Sequence, residues 1–163
     1  MKTTIARAHP EDFPEIVTVW EASVRATHHF LPEADILFFK PLVRDVYLAA
    51  VDLHCARDEA GEILGFVGVA AGMIEMLFVA PARFGQGIGS LLLRHAVTAL
   101  GATRVDVNEQ NPRAAGFYEH HGFRTTGRSP VDATGKPYPL LHMELPPAQD
   151  RSDARAAPPR SPA

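Results

Sequence analysis

A chain of 163 residues, 46% hydrophobic and 21% charged, is long enough to bury one hydrophobic core and is expected to fold as one domain. Its 16 basic and 19 acidic residues give a formal charge of −3, and the basic residues are scattered rather than striped, which argues against nucleic acid as a partner. A single cysteine, Cys55, allows no internal disulfide, and Met1–Pro10 lacks the basic-then-apolar order of a signal peptide, so the sequence reads as cytoplasmic.

Thr3–Arg7 reads as a strand, and His9-Pro10-Glu11-Asp12 suits the entry to a helix, with acids near its positive end. Phe13, Ile16, Val17, Trp20 and Val24 then recur at three- and four-residue spacing, which predicts one apolar face through about residue 26. A second helical pattern covers Ala34–Ala50, where Pro41 should divide or kink it. Val51–Arg57, Ile63–Val69 and Met73–Val79 read as successive strands joined by short turns, hence antiparallel neighbours. The run Ile63–Ala82 has the length of a membrane span with only Glu75 charged, but Gly65, Gly68, Gly72 and Pro81 divide it into strand-sized pieces, and no membrane span is expected.

Ser90–Leu100 predicts a helix stopped by Gly101, followed by a strand over Thr103–Asn108 and a shorter helix over Pro112–His121 ended by Gly122. Phe123–Arg128 and Leu140–Leu145 complete the pattern as a last strand pair. The folded domain is therefore expected over residues 1–145, and the Pro-, Ala- and Arg-rich residues 146–163 have the composition of a disordered tail.

Chemistry concentrates first in Leu77-Phe78-Val79-Ala80-Pro81-Ala82-Arg83-Phe84-Gly85-Gln86-Gly87-Ile88-Gly89-Ser90, a strand running through glycines into a helix. Such a loop turns its N–H groups inward, and the helix behind it adds a favourable field for phosphate. A P-loop would need a lysine between Gly89 and Ser90, and a Rossmann fingerprint a glycine at Ser90; a glycine turn that only packs helix on sheet is the plainer alternative. Asn108-Glu109-Gln110-Asn111-Pro112-Arg113-Ala114-Ala115-Gly116-Phe117-Tyr118 follows, with Asn111 suited to cap a helix that begins at Pro112.

Val79, Pro81, Gly85, Gly87, Ile88, Gly89, Leu91 and Leu92, together with Asn111, Ala114, Phe117, Tyr118, Gly122 and Phe123, resemble the two motifs of the GNAT acetyltransferases in order and spacing. Phe84 occupies the position where the family has Arg or Gln, with Arg83 one place early. The resemblance implies an α+β fold: a mixed, twisted sheet of about six to seven strands, splayed in the middle and flanked by about four helices. It implies acetyl-coenzyme A as co-substrate and a monomer or homodimer; no metal is expected, since the histidines and acids lack ligand spacing within any one element. Pyrophosphate is expected over Phe84, Gly85, Gln86, Gly87, Ile88, Gly89 and Ser90, and the pantetheine arm along Leu77, Phe78 and Val79, with Asn108 and Asn111 nearby.

The reaction so implied is direct acetyl transfer to a primary amine in a ternary complex. Resemblance assigns Tyr118 to protonate the leaving thiolate and a backbone N–H, that of Val79, to bind the thioester oxygen. Glu75, the one charge in an apolar strand, is the candidate base, with a solvent-facing or Arg-paired glutamate as the alternative. Tyr118 as a core ring and Asn108 as a loop cap are the corresponding plain readings. Thr27-His28-His29-Phe30-Leu31 and the polar segment Gly127–Leu141 resemble a bacterial YjaB-type subgroup of the family. The first lies where the family's acceptor channel is bordered, which makes His28 and Phe30 acceptor-site candidates against an ordinary surface or helix-end role, and the loop of Tyr138 either lines that channel or is a stabilised hairpin crossing. A non-catalytic acetyl-coenzyme A sensor is the competing class, and Phe84 is its support.

Overall fold

The structure, a computed structural model, describes residues 2–147, so the tail expected over 146–163 lies almost wholly outside the described residues. Seven strands follow the order β1-β2-β3-β4-β5-β7-β6, with four α-helices between them. They are β1 (Thr4–Arg7), β2 (Asp52–Arg57), β3 (Ile63–Ala70), β4 (Met73–Val79), β5 (Arg104–Asn108), β6 (Arg124–Ser129) and β7 (Leu140–Glu144). The helices are α1 (Phe13–Thr27), α2 (Glu33–Leu42), α3 (Ile88–Thr98) and α4 (Pro112–His120). Among the described residues no helix is long and apolar enough to cross a membrane, and the apolar run Ile63–Ala82 forms β3, β4 and the turn between them.

Two compact units divide the chain, one through Asp106 and one from Val107 onward. In the first, β1, β2, β3 and β4 pair antiparallel in sequence order, as the short turns between β2, β3 and β4 imply for those three, while β4 and β5 run parallel. β3 is buried from Ile63 to Val69, the pattern of a central strand covered on both faces. Phe66 belongs to the cluster that α1 closes with Ile16, Val17, Trp20 and Val24, so the spaced apolar residues of the sequence do form one buried face. Each of the larger side chains there contributes on the order of 1.5–3 kcal/mol by leaving water. Gly65 points to the opposite face, where an added Cβ would come 3.0 Å from Leu92 of α3 and 2.8 Å from the Phe78 carbonyl. A glycine at 65 is what lets α3 seat this close to β3.

Pro41 breaks the second helix through its missing N–H, but not by ending it. α2 runs to Leu42 and passes into a π-helical turn, Val43–Tyr47, in which the Leu48 N–H donates to the Val43 carbonyl, and then a 3-10 turn over Leu48–Ala50. In the second unit Asn111 caps α4, its Oδ1 accepting from the Ala114 N–H at 3.3 Å, and β6 and β7 pair antiparallel.

Candidate active site

The site begins with the backbone of β4. Ala80 donates its N–H to the Leu64 carbonyl at 2.8 Å, so by the alternation of an antiparallel ladder Phe78 also faces β3, and the N–H groups of Leu77 and Val79 face the other way. On that other side β4 pairs with β5 only at Met73↔Arg104 and Ile74↔Val105. From Glu75 to Val79 this edge of β4 carries no ladder, which leaves the Val79 N–H facing outward, where the sequence reading needs a donor.

Glu75 sits where the pairing changes. The β3–β4 register steps from Gly68↔Met76 to Val69↔Ile74, so Glu75 is the extra residue of a β-bulge. Its side chain is exposed, between buried Ile74 and Met76. The bulge turns the charge outward, so the solvent-facing alternative describes the exposure of Glu75. Partial desolvation still raises its pKa above the ordinary carboxylate value, Asp106 adds to the rise, and Arg104 opposes it.

Beyond β4, a 3-10 turn over Pro81–Arg83 leads into Gly85 at φ 78 and Gly87 at φ 82, and α3 starts at Ile88. A Cβ at either glycine would meet nothing within 4 Å. Packing therefore does not demand these glycines; the left-handed backbone does, together with the open space above it. Leu91 donates to the Gly87 carbonyl at 3.0 Å, closing the first helical turn, so the N–H groups of the preceding positions stand at the positive end of α3. Phe84 is 39% exposed on this loop. The Arg83 guanidinium turns to Asp58 at 3.5 Å and Glu62 at 3.8 Å, at the turn between β2 and β3, so its side chain is committed there. Gln86 donates from Nε2 to the Ala82 carbonyl at 3.3 Å, bracing the turn with its side chain.

His28 and Phe30, distant from β4 in sequence, are brought to it. The His28 ring lies 5.3 Å from that of Phe30 and 6.3 Å from that of Phe78, and its Nδ1 is 2.8 Å from Thr27 Oγ1. Burial lowers its pKa to about 4, with His29 adding to the shift. Cys55, assigned no chemistry, is buried, and burial pushes its thiol up to about 11.

In the second unit Tyr118 lies on α4, 6% exposed, with its ring edge-on to Phe117 at 5.2 Å and to Phe123 at 5.5 Å. Burial raises its pKa above the ordinary phenol value, which keeps it a proton donor through the neutral range. Asn111 and Asn108 meet through their backbones, the Asn111 N–H donating to the Asn108 carbonyl at 2.9 Å. Asn108 is thus part of the turn into α4 through its main chain, and its half-buried amide takes no part in that bond. Tyr138 is 8% exposed, so its ring is withdrawn from the surface.

Two features had little trace in the sequence. The bulge at Glu75 depends on the partner strand, and a lone charge in an apolar run was its only signal. A hydrogen-bonded line, Asp52 to His54 at 2.9 Å and His54 to His95 at 3.1 Å, ties β2 to α3; the two histidines lie 41 residues apart and share no motif.

Residues 46–125 match the acetyltransferase (GNAT) domain family. The peptidyl-lysine N-acetyltransferase YjaB of Salmonella typhimurium is 40% identical over 146 residues, which cover 90% of this chain and 100% of that protein. The solution structure of apo-form YjaB from Escherichia coli superposes with a TM-score of 0.82 at 39% identity, over 89% of this chain and 98% of that one. The PaiA N-acetyltransferase of Thermoplasma acidophilum, solved in complex with coenzyme A, has the same fold, with a TM-score of 0.72 at 19% identity, over 89% of this chain and 99% of that one. Both sequence motifs, the seven-stranded mixed sheet and an identity of 40% along nine-tenths of the chain lead to one assignment: this protein belongs to the GNAT family of N-acetyltransferases.

Proposed function

We propose that this chain transfers the acetyl group of acetyl-coenzyme A to a lysine side-chain amine by direct attack in a ternary complex. One observation carries the reading. The outer backbone edge of β4 is free from Glu75 to Val79 and leads, through the 3-10 turn over Pro81–Arg83, into a left-handed glycine loop at the N-terminus of an 11-residue helix. The free N–H and C=O groups of Leu77 and Val79 suit an amide-containing arm, which can bind like an added strand. N–H groups at the start of α3 suit a pyrophosphate. The acceptor class rests on the relatives, whose names specify peptidyl lysine.

Acetyl-coenzyme A supplies a thioester, a carbonyl activated toward amines. Glu75 takes a proton from the incoming ammonium, directly or through water, and its raised pKa suits that task better than that of an ordinary carboxylate. As nitrogen bonds to the carbonyl carbon, the Val79 N–H donates to the oxygen on which negative charge gathers. When the carbon–sulfur bond breaks, Tyr118 gives its phenolic proton to the thiolate, and the second proton that the nitrogen loses on becoming an amide returns to the phenolate through water. Phe84, in place of a charged or amide side chain, leaves pyrophosphate binding to the backbone.

Calorimetric titration with acetyl-coenzyme A, with coenzyme A and NADH as comparators, tests the first half. Saturable binding of the two coenzyme A ligands and not of NADH is expected; no binding would withdraw the enzyme reading. Coenzyme A release in the presence of a lysine peptide tests the second half.

A further inference from the structure

Resting on the acetyl-transfer reading, we infer that His28 is a fixed hydrogen-bond acceptor for the substrate amine, presenting an unprotonated Nε2 beside β4. The proton positions follow from the donors available. Thr27 has one hydroxyl hydrogen, and it goes to the Ser23 carbonyl, 2.8 Å away. The 2.8 Å contact between Thr27 Oγ1 and His28 Nδ1 therefore takes its hydrogen from the imidazole. Nδ1 carries the proton, and Nε2 keeps its lone pair. Among the described residues no side-chain nitrogen or oxygen sealed from solvent lacks a partner, so the unpaired Nε2 opens outward.

Backbone and rings hold this geometry. The His28 N–H caps α1 on the Val24 carbonyl at 2.7 Å, and the His28 carbonyl accepts from Leu31 at 3.0 Å. Phe30 and Phe78 flank the imidazole, and Phe78 stands between Leu77 and Val79, whose backbone edge is free. A pKa near 4 keeps the ring uncharged at neutral pH, so it neither repels an arriving ammonium nor holds that group's proton. Its part is to accept one N–H of the amine and so aim the nitrogen lone pair, leaving proton removal to Glu75.

Nitrogen-15 NMR of the imidazoles, combined with steady-state kinetics on a one-lysine peptide, tests this. His28 is expected as the Nδ1–H form, with Nε2 unprotonated from pH 5 upward. His28→Leu should raise KM for the peptide about tenfold, the loss of one hydrogen bond, with the calorimetric Kd for acetyl-coenzyme A unchanged. His28→Gln, whose carbonyl can stand where Nε2 stands, should recover most of that loss, which a merely structural role would not predict. A proton on Nε2, or a leucine variant with the peptide KM of the wild type, overturns the inference. Failure of the wild type itself to release coenzyme A with the peptide is a failure of the acetyl-transfer reading, and the tautomer then decides the fate of His28 alone.

Discussion

Gly87→Ala separates what the glycine loop does for folding from what it does for the ligand. At φ 82 an alanine costs about 1–2 kcal/mol in backbone strain, and its Cβ meets nothing within 4 Å, so no steric cost is added. Gly101 provides the control: φ 70, again with nothing within 4 Å, but at the far end of α3. Both variants should lose about the same stability in urea, a shift of roughly 2–8 °C in Tm. Only Gly87→Ala should lose ligand, because the methyl group enters the open space above the loop and any relaxation of φ turns the first N–H groups of α3 away. An increase of at least about tenfold in Kd for acetyl-coenzyme A, or about 1.4 kcal/mol, is expected by calorimetry. If Gly87→Ala binds as the wild type does, or Gly101→Ala weakens binding equally, the loop is not the pyrophosphate site.

Gly65→Ala should destabilise by about 1–3 kcal/mol in urea unfolding, since its Cβ would lie 2.8 Å from a backbone carbonyl that cannot swing aside; a neutral result would mean α3 shifts freely on the sheet. Tyr118→Phe should lower kcat about 100-fold with little change in KM, and the wild type should show no alkaline loss from this group up to pH 10; full turnover by the variant removes Tyr118 as the acid. Glu75→Gln should lower kcat/KM and abolish an acid limb that in the wild type lies above the ordinary carboxylate range; an unchanged acid limb assigns the base elsewhere. Stability should fall on acidification. His28 is held neutral in the fold, with its pKa lowered from 6.5 to about 4, so the unfolded chain takes up its proton first, and up to about 3 kcal/mol is lost between those values. His95 acts in the same direction, its pKa also lowered by burial and by His54. Urea unfolding of His28→Gln from pH 7 to pH 4 should show a shallower loss than the wild type, and parallel curves would contradict the assignment.

Strands and helices were legible wherever one residue period governed them. The three- and four-residue spacing of Ile16, Val17, Trp20 and Val24 marks α1, and Met73–Val79 has the bounds of β4 to the residue. Pro41 announced a break, but whether the chain stops or slips into a π-helical turn depends on what anchors Val43 and Leu48 in the core, and the cluster that holds them draws on α1 and on strands as distant as β4. Glu75 shows the same limit: alternation along one strand cannot register an extra residue relative to its neighbour. The two motifs placed the glycine loop and Tyr118 on their elements, whereas the commitment of Arg83 to Asp58 and Glu62 arises from a turn 21–25 residues upstream. The tautomer of His28 was hidden as well, because it follows from where the hydroxyl hydrogen of Thr27 goes at a helix end.

The bulge gives a physical reason for the opening beside β4. A bulge sharpens the local twist of the strand that carries it, and pairing with β5 ends at Ile74, immediately before the extra residue Glu75. Upstream, the start of β5 is fastened to the β3–β4 turn: the Gly72 carbonyl accepts from Thr103 at 2.9 Å, and the Ala71 carbonyl accepts from Arg104 Nη2 at 2.7 Å. With β5 fixed at that end and β4 twisted at Glu75, continued pairing would require β4 to leave β3, to which Phe78 and Ala80 are bonded. The strand therefore keeps β3 and gives up β5, leaving the backbone groups at Leu77 and Val79 without a ladder partner on that side. Groups in that state cost little while solvated, and each can pair with an amide ligand without any rearrangement of the sheet. Moving the bulge, rather than replacing any side chain in the loop, is the change that would close the site.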